Sequence, residues 1–200
     1  MVKLLKATNS DVRSKAIITA TILVRRYGSD KFRLTDVAKE MGITHAALYK
    51  YFKNKEDLLD SINAEWLLRI DQELEAIINQ DEEVLIRIKS WFMRLYEMKQ
   101  EKAQLDIQPY AALIAATTKQ KTYVREHLNI QFDQLNRLCE EALTKYKLKK
   151  DSRKIADLLL EATLAFHHPK FVKDKLATDR NDSLSSLLDI LISGIFRKLQ

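Results

Sequence analysis

The residues with the clearest chemical potential lie in one short segment, where hydrogen-bonding side chains stand beside two alanines. In the stretch RLTDVAKEMGITHAALYKYF, residues 33 to 52, Gly42 permits a turn between two apolar-periodic segments, and Ala38 is small enough for two helices to cross closely. This spacing is typical of a helix-turn-helix. Its outward positions are His45, Ala46, Ala47, Tyr49 and Lys50. Two alanines on that face let the helix enter the major groove of DNA, and an ordinary corner in a helical bundle is the alternative interpretation.

Other residue types that perform chemistry occur without a recognisable arrangement. His167 and His168 are adjacent, so on a helix they point about 100° apart and cannot bind one metal ion as a pair one turn apart can. The single Cys139 excludes an intramolecular disulfide framework and a four-cysteine zinc site. No nucleophile, base or pair of carboxylates stands out in a recognisable context. We therefore expect no catalytic residues, no metal site, no cofactor and no enzymatic activity.

Composition indicates which elements position these residues. The 200 residues are 46% hydrophobic and 31% charged, and they include only three glycines and two prolines. Such a chain can bury a core, and its dominant Leu, Ile, Ala, Lys, Glu and Gln favour helices over turn-rich sheets. No run approaches the roughly 18 apolar residues needed to cross a bilayer, and the polar N-terminus does not resemble a signal peptide. We expect an all-α, cytoplasmic protein with no membrane partner.

The charge is concentrated near the N-terminus. Residues 1 to 60 hold 12 Lys or Arg against 7 Asp or Glu, leaving +5 of the net charge of +6. Residues 61 to 200 hold 22 against 21, leaving +1. A basic N-terminal module favours a polyanionic partner, with nucleic acid ahead of a membrane because no basic amphipathic stripe is evident. A merely solvated basic face is the alternative.

Apolar periodicity predicts helices along the whole chain. Gly28 suits a left-handed position after the first helix, Thr44 and Asn54 are the predicted caps of the third and fourth, and Pro169 is expected to end a helix. The predicted helices span about residues 10 to 27, 35 to 41, 44 to 52, 54 to 77, 81 to 100, 105 to 117, 122 to 146, 151 to 168 and 182 to 199.

The run LTDVAKEMGITHAALYKYFKNKEDLL resembles the DNA-binding region of TetR-family transcriptional regulators, in a match over about residues 10 to 62. Positions that agree in order and spacing are Gly28, Ala38, Gly42, Leu48, Tyr49, Phe52, Lys55, Glu56, Leu58 and Leu59. Arg33 departs from the family, which usually has Ser or Thr there. Thr35 can take over part of that polar capping role, and Arg33 can instead reach a phosphate. Beyond residue 62 the resemblance is one of length and helical layout.

The resemblance implies a role for each matching residue of the motif. Residues 45 to 47 fall where family members approach base edges, whereas Tyr49, Tyr51 and Lys55 fall where they bond phosphates. Two alternatives stay open, since Tyr51 can pack beneath the motif and His45 can be merely solvated. The predicted DNA-binding residues are Arg33, Thr35, Thr44, His45, Ala46, Ala47, Tyr49, Lys50, Tyr51 and Lys55.

The resemblance also implies an effector site in the C-terminal part of the chain. Aromatic side chains are expected to line an apolar cavity, in which Tyr hydroxyls or His127 and His167 can orient a bound molecule. The candidate pocket residues are Trp91, Tyr96, Tyr110, Tyr123, Phe132, Phe166 and His167. Plain core packing is the alternative for each of them.

Two apolar stripes near the C-terminus, within residues 155 to 166 and 184 to 195, are broader than helices need when half their surface meets water. Two such helices per subunit suit a four-helix interface about a two-fold axis. The predicted interface residues are Leu158, Ala162, Leu184, Leu188, Leu191, Ile192 and Ile195. The alternative is that both helices close the core of a monomer.

Together these observations predict an all-α protein of two domains joined by a long helix. Residues 1 to 60 are expected to form a helix-turn-helix DNA-binding domain, and residues 61 to 200 an effector-binding and dimerisation domain. We expect a homodimeric repressor that binds a palindromic operator in double-stranded DNA and is released by a small-molecule effector. The alternatives are a helical ligand-binding protein without DNA readout and a DNA-associated architectural or cell-cycle factor on the same fold.

Overall fold

The computed structural model describes residues 9 to 196, and this part of the chain contains eleven helices and no strand. The helices are α1 Asn9–Tyr27, α2 Leu34–Glu40, α3 His45–Tyr49, α4 Lys55–Ile78, α5 Val84–Leu105, α6 Ile107–Thr118, α7 Thr122–Tyr146, α8 Ser152–Ala162, α9 Leu164–His167, α10 Pro169–Asp174 and α11 Asn181–Phe196. The all-α prediction is confirmed. The predicted end of the last helix near residue 199 lies outside the described residues.

The helices form two compact units. The N-terminal unit comprises residues 9 to 66 together with 106 to 116, and the C-terminal unit comprises 67 to 105 and 117 to 196. These units differ from the predicted domains, since the first division falls after residue 66 and most of α6 belongs to the N-terminal unit. The boundary at residue 60 stays a prediction. In the part of the chain that is described, no helix is long and apolar enough to cross a membrane.

The core of the N-terminal unit lies between α1, α2 and α3. Ile17 and Val24 of α1 are buried there, and Leu48 and Phe52 are fully buried. Gly28 follows α1 with φ of +81°, and its N–H donates to the carbonyl oxygen of Val24 at 2.9 Å. The left-handed position predicted for this glycine is therefore confirmed. This core fixes the directions in which α2 and α3 leave it.

α6 is attached to α1 by a partly buried ion pair. The carboxylate of Asp106, one residue before α6, accepts hydrogen bonds from the guanidinium of Arg25, and the Nη2 to Oδ2 distance is 3.0 Å. Asp106 is 2% exposed, and this partner raises the pKa of Arg25. Ser29 donates a second hydrogen bond, to Gln108 Oε1 at 3.0 Å. Because a buried carboxylate needs a cation, these contacts hold the start of α6 within the N-terminal unit.

The C-terminal unit is built around α5 and α7. α7 packs against α8 and α5, while α5 also contacts α9, α10 and α11. Side chains from three of these helices are fully buried in the shared core: Ile88, Trp91, Leu95, Leu135, Leu138, Leu184 and Leu188. Arg87 bonds Glu141 of α7 and donates to the carbonyl oxygen of Ile78 at 2.6 Å, which satisfies the last turn of α4.

The prediction of one continuous helix over residues 151 to 168 is wrong, because this segment forms two helices. The hydroxyl of Thr163 donates to the carbonyl oxygen of Leu159 at 2.7 Å, and the chain breaks there into α8 and α9. His168 is extended, with ψ of 126°, as expected before a proline. Pro169 then begins α10, because the missing N–H of proline costs nothing at the first position of a helix.

Candidate DNA-binding surface and ligand-binding interior

The turn between α2 and α3 is fixed by backbone geometry. Gly42 adopts φ of +65°, and the N–H of Ile43 donates to the carbonyl oxygen of Ala38 at 3.0 Å. Thr44 Oγ1 accepts from the N–H of Ala47 at 3.2 Å, so the predicted cap of α3 is confirmed. These bonds set the angle at which α3 follows α2.

α3 presents a short exposed face beside the buried Leu48. His45, Ala46, Tyr49 and Lys50 are exposed, and Ala47 is half-buried. The rings of His45 and Tyr49 meet edge to face with centroids 4.4 Å apart, as residues one helical turn apart can. His45, predicted to contact bases, and Tyr49, predicted to contact phosphates, thus lie on one face of α3, although their contact with DNA stays a prediction.

The capping role predicted for Thr35 at the start of α2 is wrong. Arg33 occupies the cap position in an extended conformation, and its guanidinium has no acceptor with which to bond the first turn. Instead the carboxylate of Asp36 accepts from the N–H of Arg33 at 3.0 Å. Thr35 lies inside the helix and is exposed, so the polar capping role belongs to Asp36.

Lys55 and Tyr51 are held closer to the protein than the sequence indicates. Lys55 begins α4, where its Nζ donates to the carbonyl oxygen of Asp30 at 3.1 Å and lies 6.0 Å from the ring centre of Phe32. Two N–H groups of the ammonium remain for a phosphate. Tyr51 is half-buried and packs against the core of the N-terminal unit, in line with its packing alternative. Asn54 accepts from the N–H of Asp57 at 2.8 Å and thereby caps α4 as predicted.

The candidate pocket residues do not form one group. In the C-terminal unit Trp91, Tyr96, Phe166 and His167 are buried, and the rings of Tyr96 and Phe166 lie edge to face at 5.6 Å. Tyr110 instead belongs to the N-terminal unit, where its ring lies 6.4 Å from that of Trp66.

Two further candidates lie nearer the surface of the C-terminal unit. Phe132 is half-buried beneath the guanidinium of Arg153, which lies 4.8 Å from its ring centre. Tyr123 is also half-buried. Tyr110, Tyr123 and Phe132 are therefore separate from the four candidates buried in the C-terminal unit.

A buried polar cluster lies in the same interior, and the sequence analysis named its histidines but not Asp71, Lys99 or the two glutamines. His127 Nδ1 is 2.6 Å from Asp71 Oδ1, and both side chains are buried. Gln134 donates to the carbonyl oxygen of Asp71 at 2.9 Å and accepts from Trp91 Nε1 at 3.3 Å. The sequence signal was the interruption of the apolar stripe of α7 by His127, Gln131 and Gln134, all of which are buried.

Lys99 and His167 complete this cluster. Lys99 Nζ donates to the carbonyl oxygen of His167 at 2.9 Å, and burial lowers the pKa of Lys99 to about 8 although the negative charge of Asp71 opposes that shift. His167 Nε2 lies 3.0 Å from the carbonyl oxygen of Leu160. Burial and the nearby ammonium lower the pKa of His167 to about 4, so its imidazole is neutral at pH 7. Among the described residues, no three His, Cys, Asp or Glu side chains are grouped as a metal site needs.

The predicted interface residues divide into buried and exposed sets. Leu184, Leu188 and Ile192 face the core of the single chain, with 0%, 0% and 7% of their surfaces exposed. These three side chains contribute to the core of their own chain, and the interface itself stays a prediction. Leu158 and Ala162 are exposed, and Leu191 and Ile195 are half-buried. The sequence stripe was broader than the core requires because it combined both sets.

A surface groove lies between α5 and α11. It has a volume of about 580 Å³ and is bordered by Leu85, Ile86, Ile192 and Phe196, with the ion pair of Lys89 and Asp189 across it at 2.6 Å. None of the seven candidate pocket residues lines this groove. The groove therefore does not coincide with the predicted effector site.

Two family models match this chain. One, described as bacterial regulatory proteins of the tetR family, covers residues 17–62, and the other, described as a tetracyclin repressor-like C-terminal domain, covers residues 86–188. The first contains the complete helix-turn-helix and the second contains most of the buried polar cluster. The second model alone spans half of the chain.

Solved structures with the same fold include regulators from several bacteria. A transcriptional regulator of the TetR/AcrR family from Thermobifida fusca matches with a TM-score of 0.65 and 21% identity, over 94% of this chain and all of that one. FadR from Bacillus subtilis, in complex with stearoyl-CoA, matches with a TM-score of 0.63 and 18% identity over 90% and 98% of the two chains. FadR from Thermus thermophilus, a TetR-family transcriptional repressor in complex with lauroyl-CoA, matches with a TM-score of 0.65 and 15% identity over 94% and 97%.

At these identities the solved structures establish the fold, and the family models establish the membership. The helix-turn-helix, the helical C-terminal unit and both matched regions agree with one another. This chain belongs to the TetR family of bacterial regulatory proteins and is a DNA-binding transcriptional regulator with a ligand-binding domain.

Proposed function

We propose that this protein is a repressor that binds an inverted-repeat operator as a homodimer and leaves it when a small-molecule effector binds. The observation that carries the DNA-binding part is the exposed face of α3, held in place by the Thr44 cap and the buried Leu48. His45 can exchange hydrogen bonds with a base edge, and an alanine methyl can touch a thymine methyl. Tyr49 and Lys55 supply phosphate contacts, which position the protein without reading sequence.

For the effector, we propose a long-chain acyl-CoA. Two FadR structures of the same fold were solved with stearoyl-CoA and lauroyl-CoA. This chain offers a C-terminal unit whose interior combines aromatic side chains with buried polar groups, which suits a ligand with a long apolar chain and a polar attachment. Such a ligand releases DNA only if it binds more tightly to a conformation that binds DNA poorly.

The DNA-binding proposal is tested by selecting bound sequences from random duplexes and footprinting the selected site. An inverted repeat should emerge, with half-sites about one helical turn, roughly 34 Å, or a small multiple of it apart. His45→Ala should weaken binding to this operator by about 1 to 3 kcal/mol and leave non-specific binding nearly unchanged. If many unrelated sites were protected and no ligand released them, an architectural role would replace the proposal.

Lys55→Ala is the matched variant for the phosphate contacts. It should weaken binding to operator and scrambled DNA alike. It should also lower the magnitude of the slope of log K against log salt concentration by about 1, because one phosphate loses its cation. Equal losses on both DNAs for His45→Ala would instead show that the wrong face of α3 had been assigned to the groove. The thermal stability of each variant should be measured as well, because Lys55 also bonds Asp30.

The effector proposal is tested on the complex of protein and operator. Lauroyl-CoA and stearoyl-CoA should each dissociate the complex in a saturable manner, whereas coenzyme A alone should not. A complex that survives saturating concentrations of both acyl-CoAs would overturn the effector class and leave the DNA-binding proposal intact.

A further inference from the structure

One turn of α7 directs two polar side chains into the interior of the C-terminal unit without supplying them with partners. His127 and Gln131 are four positions apart, so they share one face of the helix. Their exposed fractions are 3% and 1%. Nε2 of His127 and both polar atoms of the Gln131 amide have no hydrogen-bond partner within the described residues. Three unpartnered polar atoms on one buried helical turn are costly, which points to a bound polar group.

The hydrogen bond to Asp71 fixes what His127 offers. A carboxylate accepts hydrogen bonds, so Nδ1 of His127, at 2.6 Å from Asp71 Oδ1, carries the proton. The neutral ring then has a lone pair on Nε2, which can only accept. Burial, together with the charge of Lys99, lowers the pKa of His127 and opposes the protonation that would turn Nε2 into a donor.

Gln134 shows how a glutamine on this helix is normally accommodated. Its amide nitrogen donates to the carbonyl oxygen of Asp71 and to Glu75 Oε2 at 3.1 Å, and its oxygen accepts from Trp91 Nε1. Gln131, one turn earlier and equally buried, offers the same donor and acceptor atoms but has neither bond. The contrast separates a structural glutamine from one that is available to a ligand.

The available atoms define the chemistry of the missing partner. His127 Nε2 and Gln131 Oε1 each require a donor, and Gln131 Nε2 requires an acceptor. A carboxylate has only acceptor atoms, so it would face the lone pair of His127 and leave both acceptors unsatisfied. The cation of Lys99 does not change this preference, because the negative charge of Asp71 offsets its positive charge and no net charge remains there to attract an anion. An amide or a hydroxyl group supplies both a donor and an acceptor.

We propose that His127 and Gln131 bind an uncharged amide or hydroxyl group of the effector, and that they discriminate against a free carboxylate. This inference rests on the proposed function, since it assigns the polar subsite of the same effector. An amide of the pantetheine arm of an acyl-CoA and the hydroxyl of a long-chain alcohol share the required chemistry. A free fatty acid lacks it at neutral pH.

Four probes with the same twelve-carbon chain length test the subsite: dodecanamide, dodecan-1-ol, dodecanoate and methyl dodecanoate. Binding to the full-length protein is measured by calorimetry at pH 7.5, and release of operator DNA is measured in parallel. The amide and the alcohol should bind at least tenfold more tightly than dodecanoate and the methyl ester, which has no donor. A stronger response to the amide than to the alcohol would point to the pantetheine arm as the natural source of the group, and the reverse order would point to an alcohol.

Gln131→Leu is the decisive variant. It should reduce the preference for the amide and the alcohol severalfold, because only His127 Nε2 then remains to accept a hydrogen bond from the ligand. Without ligand its melting temperature should stay the same or rise, because the substitution removes two unpartnered buried atoms. The control Gln134→Leu should melt at a lower temperature, because it leaves Trp91 Nε1 without its acceptor.

The outcomes distinguish this inference from the function on which it rests. Probes that bind and release DNA without any preference, or a Gln131→Leu variant as unstable as Gln134→Leu, would overturn the subsite alone. If neither the four probes nor the acyl-CoAs bound the protein, the effector class under the proposed function would fail and the subsite with it.

Discussion

Lys99 and His167 place a cation and an imidazole in the same buried site. The ammonium of Lys99 is held by the carbonyl oxygen of His167, and the imidazole of His167 lies against the carbonyl oxygen of Leu160. A protonated His167 would repel the ammonium in surroundings of low dielectric constant, so the folded protein favours the neutral imidazole. His127 and His168 add to this repulsion if they are protonated. Protonation of His167 therefore couples the stability of the C-terminal unit to pH.

The sign of that coupling follows from the two pKa values of His167. Its pKa is about 4 in the folded protein, whereas an unperturbed histidine has a pKa of about 6.5. As pH falls below about 6.5 the unfolded chain binds a proton that the folded protein does not, so the free energy of unfolding falls toward pH 4. The full slope for one group is about 1.4 kcal/mol per pH unit. His127, whose pKa is also lowered, acts in the same direction.

His167→Gln should reduce this acid sensitivity while retaining an amide donor for Leu160. Urea denaturation of the wild type and the variant at pH 6.5, 6.0, 5.5 and 5.0 measures the difference in slope. Glu75 and Glu83, whose pKa values are lowered, are present in both proteins, so their contribution at the acid end of this range cancels in the difference. Parallel curves for the two proteins would show that His167 does not titrate on unfolding in this range.

At the scale of elements, the helix-turn-helix depends on a single backbone conformation. Gly42 has φ of +65°, and a Cβ added there would meet no atom within 4 Å. Any cost of substitution therefore comes from the backbone and not from crowding. For a residue with a side chain, the left-handed conformation costs roughly 1 to 2 kcal/mol, and asparagine tolerates it better than alanine.

Gly42→Ala should accordingly lower the free energy of unfolding by roughly 1 to 2 kcal/mol, and Gly42→Asn by clearly less. Both are measured by urea denaturation, together with operator affinity. Operator affinity should fall in the same order, because the turn sets the direction of α3. Equal destabilisation by the two variants would mean that the turn relaxes to another conformation and that its angle is not fixed by residue 42.

Local signals in the sequence were sufficient for most of the elements. Thr44 and Asn54 are caps, and Gly28 and Gly42 are left-handed, because side-chain and backbone chemistry within a few residues decides these features. The same local reasoning failed at Pro169, since a proline suits both the position after one helix and the first position of the next.

The site was less predictable because it depends on residues distant in sequence. Asp71 and His127 are neighbours across 56 positions, and no periodicity identifies such a pair. A stripe of leucines likewise does not say whether it meets its own core or a partner. The structure places Leu188 in the core of its own chain, whereas Leu158 is 49% exposed and its contact with a partner stays a prediction.

At the scale of the whole molecule, two apolar faces of the C-terminal unit remain exposed on α8 and α11. Leu158 on α8 and Ile190 on α11 have exposed fractions of 49% and 69%. Ala162 is exposed beside the first, and Leu191 is half-buried beside the second. Large apolar side chains on two helices of one unit suit a self-complementary surface about a two-fold axis. We therefore propose an interface centred on the exposed residues of α8 and α11. It includes Ile190, which was not among the interface residues predicted from the sequence.

Replacing both Leu158 and Ile190 with Glu should therefore give a folded monomer. The introduced charges are exposed to water in the monomer, so its helical circular dichroism should match that of the wild type. Sedimentation velocity should show half the mass of the wild type. Operator affinity should fall steeply, because a monomer contacts only one half-site. Leu105→Glu is the matched control, since Leu105 is 72% exposed but lies on α5, and it should leave the mass unchanged. Leu188→Ala should behave differently again, with a loss of about 2 to 5 kcal/mol in stability from a cavity in the core. A double variant that still sediments as a dimer of undiminished stability would place the interface on another surface.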